Sequence, residues 1–197
     1  MSAQTINISV PKEYPAVLLL VGGGFSMLYF YTKHAYLTKR KEIYGRYKYM
    51  DNFKEDHKIA FGESKALHPH GDPDDVDGWY SSKLSYREWY ELASAKRAHQ
   101  DNAEAMPYAT LLTLLGAIKF PWVAIGFSTV YLLGSLKLAI EYLRKGANTG
   151  GKCLGRAVAK YALYALAGVA VFSMAKLVRE NNSLEKLTDL WNQIVKK

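Results

Sequence analysis

Arg97, His99, Asp101 and Glu104 stand close together, just ahead of an apolar run that starts near Pro107. Strongly polar side chains at the mouth of an apolar membrane helix are expensive to keep in lipid, and where they occur they commonly mark a binding site. On a helix, Arg97, Asp101 and Glu104 fall at i, i+4 and i+7 and share a face. His99 stands about 200° round from Arg97 at 3.6 residues per turn. One helix therefore aims all four at one ligand only if the ligand wraps round it or a neighbouring subunit contributes. An arginine forks onto a carboxylate, and a glutamate accepts a bond from an ammonium group. A small anionic, peptide-like ligand could use part of such a set. The same spacing also fits an interfacial helix whose charges pair with one another and with water.

A second group of residues bears on the same chemistry. Arg40 and Lys41 close the first apolar run, and Arg144, Lys145, Lys152 and Arg156 stand between the third and fourth. Packed together they would form a positive crevice between helices. A thiol held there would lose its proton more readily, because a nearby cation favours the thiolate. The ordinary positive-inside bias would also place these charges there.

The elements that must position these groups are membrane helices. A bilayer core needs about 20 apolar residues in a helix. The pattern predicts four such helices, near residues 14–36, 88–118, 122–143 and 156–178, with a short turn at Lys119-Phe120-Pro121. In the first, Gly22-Gly23-Gly24 suits close approach of helix backbones. In the second, only 105–118 is lipid-like, so its first half should project from the membrane or sit in a polar crevice. Leu184, Leu187, Leu190, Trp191 and Ile194 share one face of a fifth, amphipathic helix, capped by Asn182 or Ser183. That segment is too short and charged to span and should lie on the membrane surface or on a partner. The expected fold is all-α: an integral membrane four-helix bundle over 1–180, with a polar loop at about 45–87, and a C-terminal amphipathic helix over 181–197.

Composition narrows the function. Of 197 residues, 26 are basic and 18 acidic, for a net charge of +8. Many of the basic residues flank apolar runs, which suits membrane orientation and not nucleic acid. Lys39, Arg40, Lys41, Arg46 and Lys48 share one membrane face with the loop between the third and fourth helices. This face should be cytosolic, or the matrix side in an organelle, with both termini opposite. The first ten residues carry no basic side chain, so the first hydrophobic helix is expected to remain as an anchor. The single cysteine, Cys153, rules out an internal disulfide. The segment His68 to Gly78 lacks the alternating ligands and distal Glu of a calcium loop, and is read as a turn-rich polar loop with no metal. There is no phosphate-cradling glycine loop and no Ser/His/Asp signature.

Several of these stretches together resemble the MAPEG family, the membrane-associated proteins of eicosanoid and glutathione metabolism. The similarity is greatest to the microsomal glutathione S-transferase 3 branch. Val10-Pro11-Lys12-Glu13-Tyr14 is similar to that branch's opening. Gly71-Asp72-Pro73-Asp74 through Trp79-Tyr80, followed by Leu84 to Glu91, resembles the polar loop of some relatives. Arg97-Ala98-His99-Gln100, with Glu104 and Pro107, resembles the family signature.

The resemblance implies a trimer, with glutathione as co-substrate bound between neighbouring subunits near the basic face. It also implies lipophilic electrophiles or lipid hydroperoxides reached from the bilayer. Arg40, Arg97, His99, Asp101, Glu104 and Tyr142 would then contact glutathione. Lys41 would stand beside the substrate, and Arg156, or Arg144 after it, would stabilise the thiolate. Some positions depart from the family pattern. Asp101 stands where Asn is common. Ser135, Leu138 and Glu141 replace family residues on the third helix, and only Tyr142 survives. Lys137 and Glu141 each cost about 2.5–3.5 kcal/mol at a helix centre, less if paired or interfacial. They also suit a contact with another protein. Two functions follow: a glutathione transferase or peroxidase of an endoplasmic reticulum or mitochondrial membrane, or a non-catalytic subunit of a larger membrane complex, with a mitochondrial complex as one candidate home. The partners expected are membrane lipids and either two further copies of the chain or that complex, with no nucleic acid.

Overall fold

A computed structural model describes residues 10–46, 48–63, 65–146 and 154–180. The expected C-terminal helix at 181–197, with Lys152 and Cys153, lies outside the described residues. The fold is all-α, with no strand among the described residues, and is that of a membrane helical bundle.

The first helix starts with Pro15 in its opening turn, where a missing N–H costs nothing. It runs as α1 (Tyr14–Leu19), a widened π segment over Leu20–Phe25, and α2 (Ser26–Tyr44). It thus continues well past the predicted end near 36, because Tyr36, Ile43 and Tyr44 are buried in a core of their own. A short α3 (Lys54–Phe61) ends at Gly62, whose φ is +60°. The long α4 (Tyr86–Ala117) starts at a capping box. There the Ser85 hydroxyl accepts from Glu88 N (3.4 Å), and the Glu88 carboxylate accepts from Ser85 N (3.1 Å). The hairpin to α5 (Pro121–Lys145) again puts proline at a helix start. The last described helix is α6 (Leu154–Glu180).

Among the described residues, three helical stretches are long and apolar enough to cross a bilayer: Tyr14–Tyr44, Pro121–Arg144 and Leu154–Glu180. The fourth predicted span, in α4, is not among them, because residues 86–104 carry most of that helix's charge. Only its second half is lipid-like, as the sequence indicates.

The described residues divide into two compact units. One holds residues up to 26, with 105–135 and 155–180. Phe25 meets Tyr131 edge-on at 5.6 Å and packs among Ala109, Ala159, Ala162 and Leu166. A buried Thr113 hydroxyl donates to Ala109 O (2.6 Å) and lies 2.7 Å from Ser128 Oγ. Ser173 Oγ donates to Leu115 O at 2.7 Å. Backbones approach closely at Gly134, where an added Cβ would sit 2.7 Å from Ala159 N and 3.1 Å from Gly155 O. Of the three consecutive glycines, Gly22 has nothing within 4 Å of such a carbon, and Gly24 meets only side chains. The small-residue contact falls at Gly134 and not at the conspicuous triplet.

The other unit holds residues 27–104, 136–146 and 154. What looks like a polar loop carries its own core: Met50, Phe53 and Val76 are buried with Tyr36, Ile43, Tyr44, Leu92 and Ala95. Asp74 ties the loop together. Its carboxylate accepts from Gly78 N (3.0 Å) and Ser81 N (2.8 Å), and Asp74 N donates to Gly71 O (2.9 Å). The predicted turn-rich segment is thus an ordered turn packed on the helices.

Candidate functional site

The polar half of α4 has two chemically different faces. On one, Arg97 Nε meets Asp101 Oδ1 at 2.8 Å, one helical turn on. The Arg97 side chain is 54% exposed and that of Asp101 17%. One turn further, Gln100 Nε2 donates to Glu104 Oε1 at 2.7 Å, and Glu104 is exposed. These residues form a continuous polar stripe, as their i, i+4 and i+7 spacing requires.

His99 faces away from that stripe. Its Nδ1 lies 3.2 Å from the hydroxyl of Thr32 on α2. The single Thr32 proton is directed to the carbonyls of Leu28 (3.1 Å) and Tyr29 (3.0 Å). In the tautomer whose Nδ1–H donates to Thr32 Oγ1, Nε2 is the acceptor. The imidazole meets the Tyr29 ring edge-on at 5.0 Å and stacks on Tyr36 at 6.4 Å. Tyr36 in turn donates to Asp75 Oδ1 at 2.8 Å, and Lys96 Nζ lies 3.2 Å from Asp75 Oδ2. Burial pushes the Asp75 carboxyl up, but the hydrogen bonds from Tyr36 and Lys96 outweigh it and hold the group below the usual carboxylate range.

Arg40 is absorbed by the loop. Its Nε donates to His70 O (3.1 Å) and its Nη2 to Asp74 O (2.8 Å), while Nη2 lies 2.6 Å from Asp72 Oδ1. Its side chain is only 12% exposed. Lys41, the next residue, is exposed on α2. Arg40 and Arg97 therefore engage different partners.

On α5, Tyr142 is buried with Ala98 and Leu138. Lys137 and Glu141 form an i, i+4 pair at 4.0 Å, which reduces the cost of holding both in an apolar helix. Ser135 is buried, and Arg156 is exposed near the start of α6. Arg156 and Ser135 belong to the first unit; Arg40, Arg97, His99, Asp101, Glu104 and Tyr142 belong to the second.

Tyr142 also borders a cleft of about 460 Å³, together with Arg144, Lys39, Arg87, Tyr90 and Glu91. The last four are not assigned to a site from sequence: Lys39 is read for membrane orientation, and Arg87, Tyr90 and Glu91 as part of the polar-loop resemblance. Arg87 and Glu91 stand at i, i+4 and pair at 3.1 Å. Among the described residues no group of three or more His, Cys, Asp or Glu could hold a metal ion.

Chemically, the exposed stripe offers a guanidinium fork and two carboxylates to a small polar ligand. The His99 face offers one imidazole among aromatic rings. A family model, that of the MAPEG family, matches residues 17–172. No curated protein and no solved structure matches the chain.

Proposed function

The chain belongs to the MAPEG family, and from that premise we propose that it is a membrane-bound glutathione transferase or peroxidase of the microsomal glutathione S-transferase 3 type. The supporting observation is the Arg97–Asp101–Glu104 stripe. It is polar along its length, lies on one helix face and leaves Arg97 more than half exposed. Asp101 takes the Arg97 Nε, so two Nη groups remain to fork onto a glutathione carboxylate. Glu104 and Asp101 offer acceptors to its ammonium group. A stripe on the outside of one chain suits a ligand held against a neighbouring copy, and the functional form is then a trimer.

In this reading Arg156 holds the glutathione sulfur as thiolate and Lys41 stands beside the substrate. The thiolate attacks an electrophilic carbon, forming a C–S bond and expelling a leaving group. On a lipid hydroperoxide it attacks oxygen instead. The O–O bond breaks, the lipid leaves as an alcohol, and a second glutathione yields the disulfide and water. The membrane is that of the endoplasmic reticulum or the mitochondrion, with the basic face on the cytosolic or matrix side. His99 then orders α2 against α4 and does not touch the ligand from the same side as Arg97.

Calorimetric titration of the purified protein in detergent tests this reading. Glutathione should bind saturably, and an aryl halide should yield its glutathione conjugate. Absence of both overturns the catalytic reading.

One observation favours a second function. The Arg40 guanidinium is occupied by two carbonyls and Asp72, and Leu138 cannot supply a hydroxyl. A chain that keeps the fold and has lost part of the site would serve as a structural subunit of a larger membrane complex. Stoichiometric recovery in such a complex under native isolation supports that function, and recovery as a free homotrimer counts against it.

A further inference from the structure

Residues of α3 and of the segment from Pro73 to Tyr80 line a cavity of about 480 Å³, within the range of small-molecule sites, roughly 300–1,000 Å³. None of the residues given to glutathione lines it. It lies wholly in the stretch that reads as a polar loop.

Its walls are aromatic. Phe53, Phe61, Trp79 and Tyr80 all line it, and Phe53 meets Tyr80 edge-on at 5.1 Å. His57 packs on Phe61 at 5.0 Å, and its Nε2 donates to Lys65 O at 3.1 Å, which ties α3 to the chain beyond Gly62. Phe53 and Phe61 each carry a lysine ammonium, Lys83 at 4.6 Å and Lys65 at 4.5 Å, but neither lysine lines the cavity. Trp79 is 69% exposed, and among the described residues no cation or ring stacks on it.

The charges on the lining are both negative, Asp56 and Asp74. Asp74 is buried, and its carboxylate is taken by the amides of Gly78 and Ser81. Asp56 is exposed, and among the described residues no cation pairs with it. The lysines beside it on α3 are engaged elsewhere, Lys54 with Asp51 at 2.8 Å and Lys58 with Glu63 at 2.6 Å. An anion entering here would meet two carboxylates and no ammonium or guanidinium group. A neutral ligand would leave Asp56 unused. Ring faces carry negative potential and attract cations, tryptophan most strongly. A methylated ammonium suits such walls, because its charge lies beneath apolar methyl groups and leaves water at less cost than a metal ion or a primary ammonium.

We propose that this cavity binds an organic cation with a methylated ammonium head and a small apolar or aromatic body, the head held by Trp79 and Asp56 and the body among Phe53, Phe61 and Tyr80. The assignment does not rest on the glutathione reading, whose titration uses a different ligand and different residues.

The test uses the full chain in neutral detergent at constant ionic strength. It is titrated separately with benzyltrimethylammonium, with choline, with neohexyl alcohol (the uncharged carbon isostere of choline) and with benzoate. Benzyltrimethylammonium should bind saturably and more tightly than choline, which lacks the ring. Neohexyl alcohol should bind about tenfold or more weakly than choline, and benzoate should not compete. Trp79→Leu keeps an apolar side chain, loses the ring and should weaken benzyltrimethylammonium about tenfold. Asp56→Asn should weaken it several-fold. Should Asp56→Asn fail to fold, Trp79→Leu, at an exposed position, still decides the matter. The proposal is overturned if benzyltrimethylammonium does not bind, if choline matches it, if the uncharged alcohol or benzoate binds as well as the cations, or if Trp79→Leu leaves the affinity unchanged.

Discussion

In the unit that holds residues 105–135 and 155–180, helices meet through missing side chains: Gly134 lies against the backbone of Ala159 and Gly155. In the unit that holds residues 27–104, they meet through charge and hydrogen bonds: Arg40 joins the 70–74 turn, His99 joins Thr32, and Asp75 joins Tyr36 and Lys96. The difference follows the solvent. In lipid there is no hydrophobic drive between helices, so close packing and a few buried hydroxyls such as Thr113 must suffice. Near water, ion pairs are affordable, and α4 can carry a polar stripe that a ligand can use.

The largest expected effect breaks the first device. Gly134→Val puts a branched carbon where even a Cβ falls 2.7 Å from Ala159 N. It should destabilise the protein in detergent by about 3 kcal/mol or more, read as a lowered Tm. Gly22→Ala is the matched control. Nothing lies within 4 Å of its Cβ, so it should be neutral or stabilising by up to about 1 kcal/mol. Equal losses at both positions would erase the distinction.

A smaller effect is expected from the second device. Asp74→Ala leaves the amides of Gly78 and Ser81 without their acceptor. It should cost about 1–3 kcal/mol, concentrated in the 70–81 turn and seen as faster amide exchange there. Uniform loosening of all helices would contradict a local role.

The smallest is a pH dependence. Asp75 is held below its ordinary value by Tyr36 and Lys96. Its contribution is present above the unfolded carboxylate pKa and is lost as pH falls through the lower folded one. Thermal scans across that acid window should show wild type losing stability that Asp75→Asn never had. Parallel curves would show that the Tyr36 and Lys96 contacts contribute nothing.

Much of this was readable beforehand, for identifiable reasons. Long apolar runs located the helices, and the 100° step per residue placed His99 opposite Arg97. Other features depend on contacts that are distant in sequence. Arg40 reads as a ligand residue until the 70–74 turn folds over it. Phe53, Val76 and Tyr80 have no periodicity that announces a core, so their segment looked like a plain polar loop. The Gly22-Gly23-Gly24 run drew attention by composition, whereas Gly134 matters because of what faces it. The helix expected from about 88 starts at Tyr86, and the Ser85 and Glu88 capping spacing that marks this start was passed over in the sequence.

The central claim is that the exposed face of α4 is the glutathione site. Its most direct test is a glutathione titration of wild type against Arg97→Ala, with Arg40→Ala alongside. The account predicts saturable binding by wild type and at least about a tenfold loss in Arg97→Ala. Wild-type affinity in Arg97→Ala, with the loss appearing only in Arg40→Ala, would contradict it.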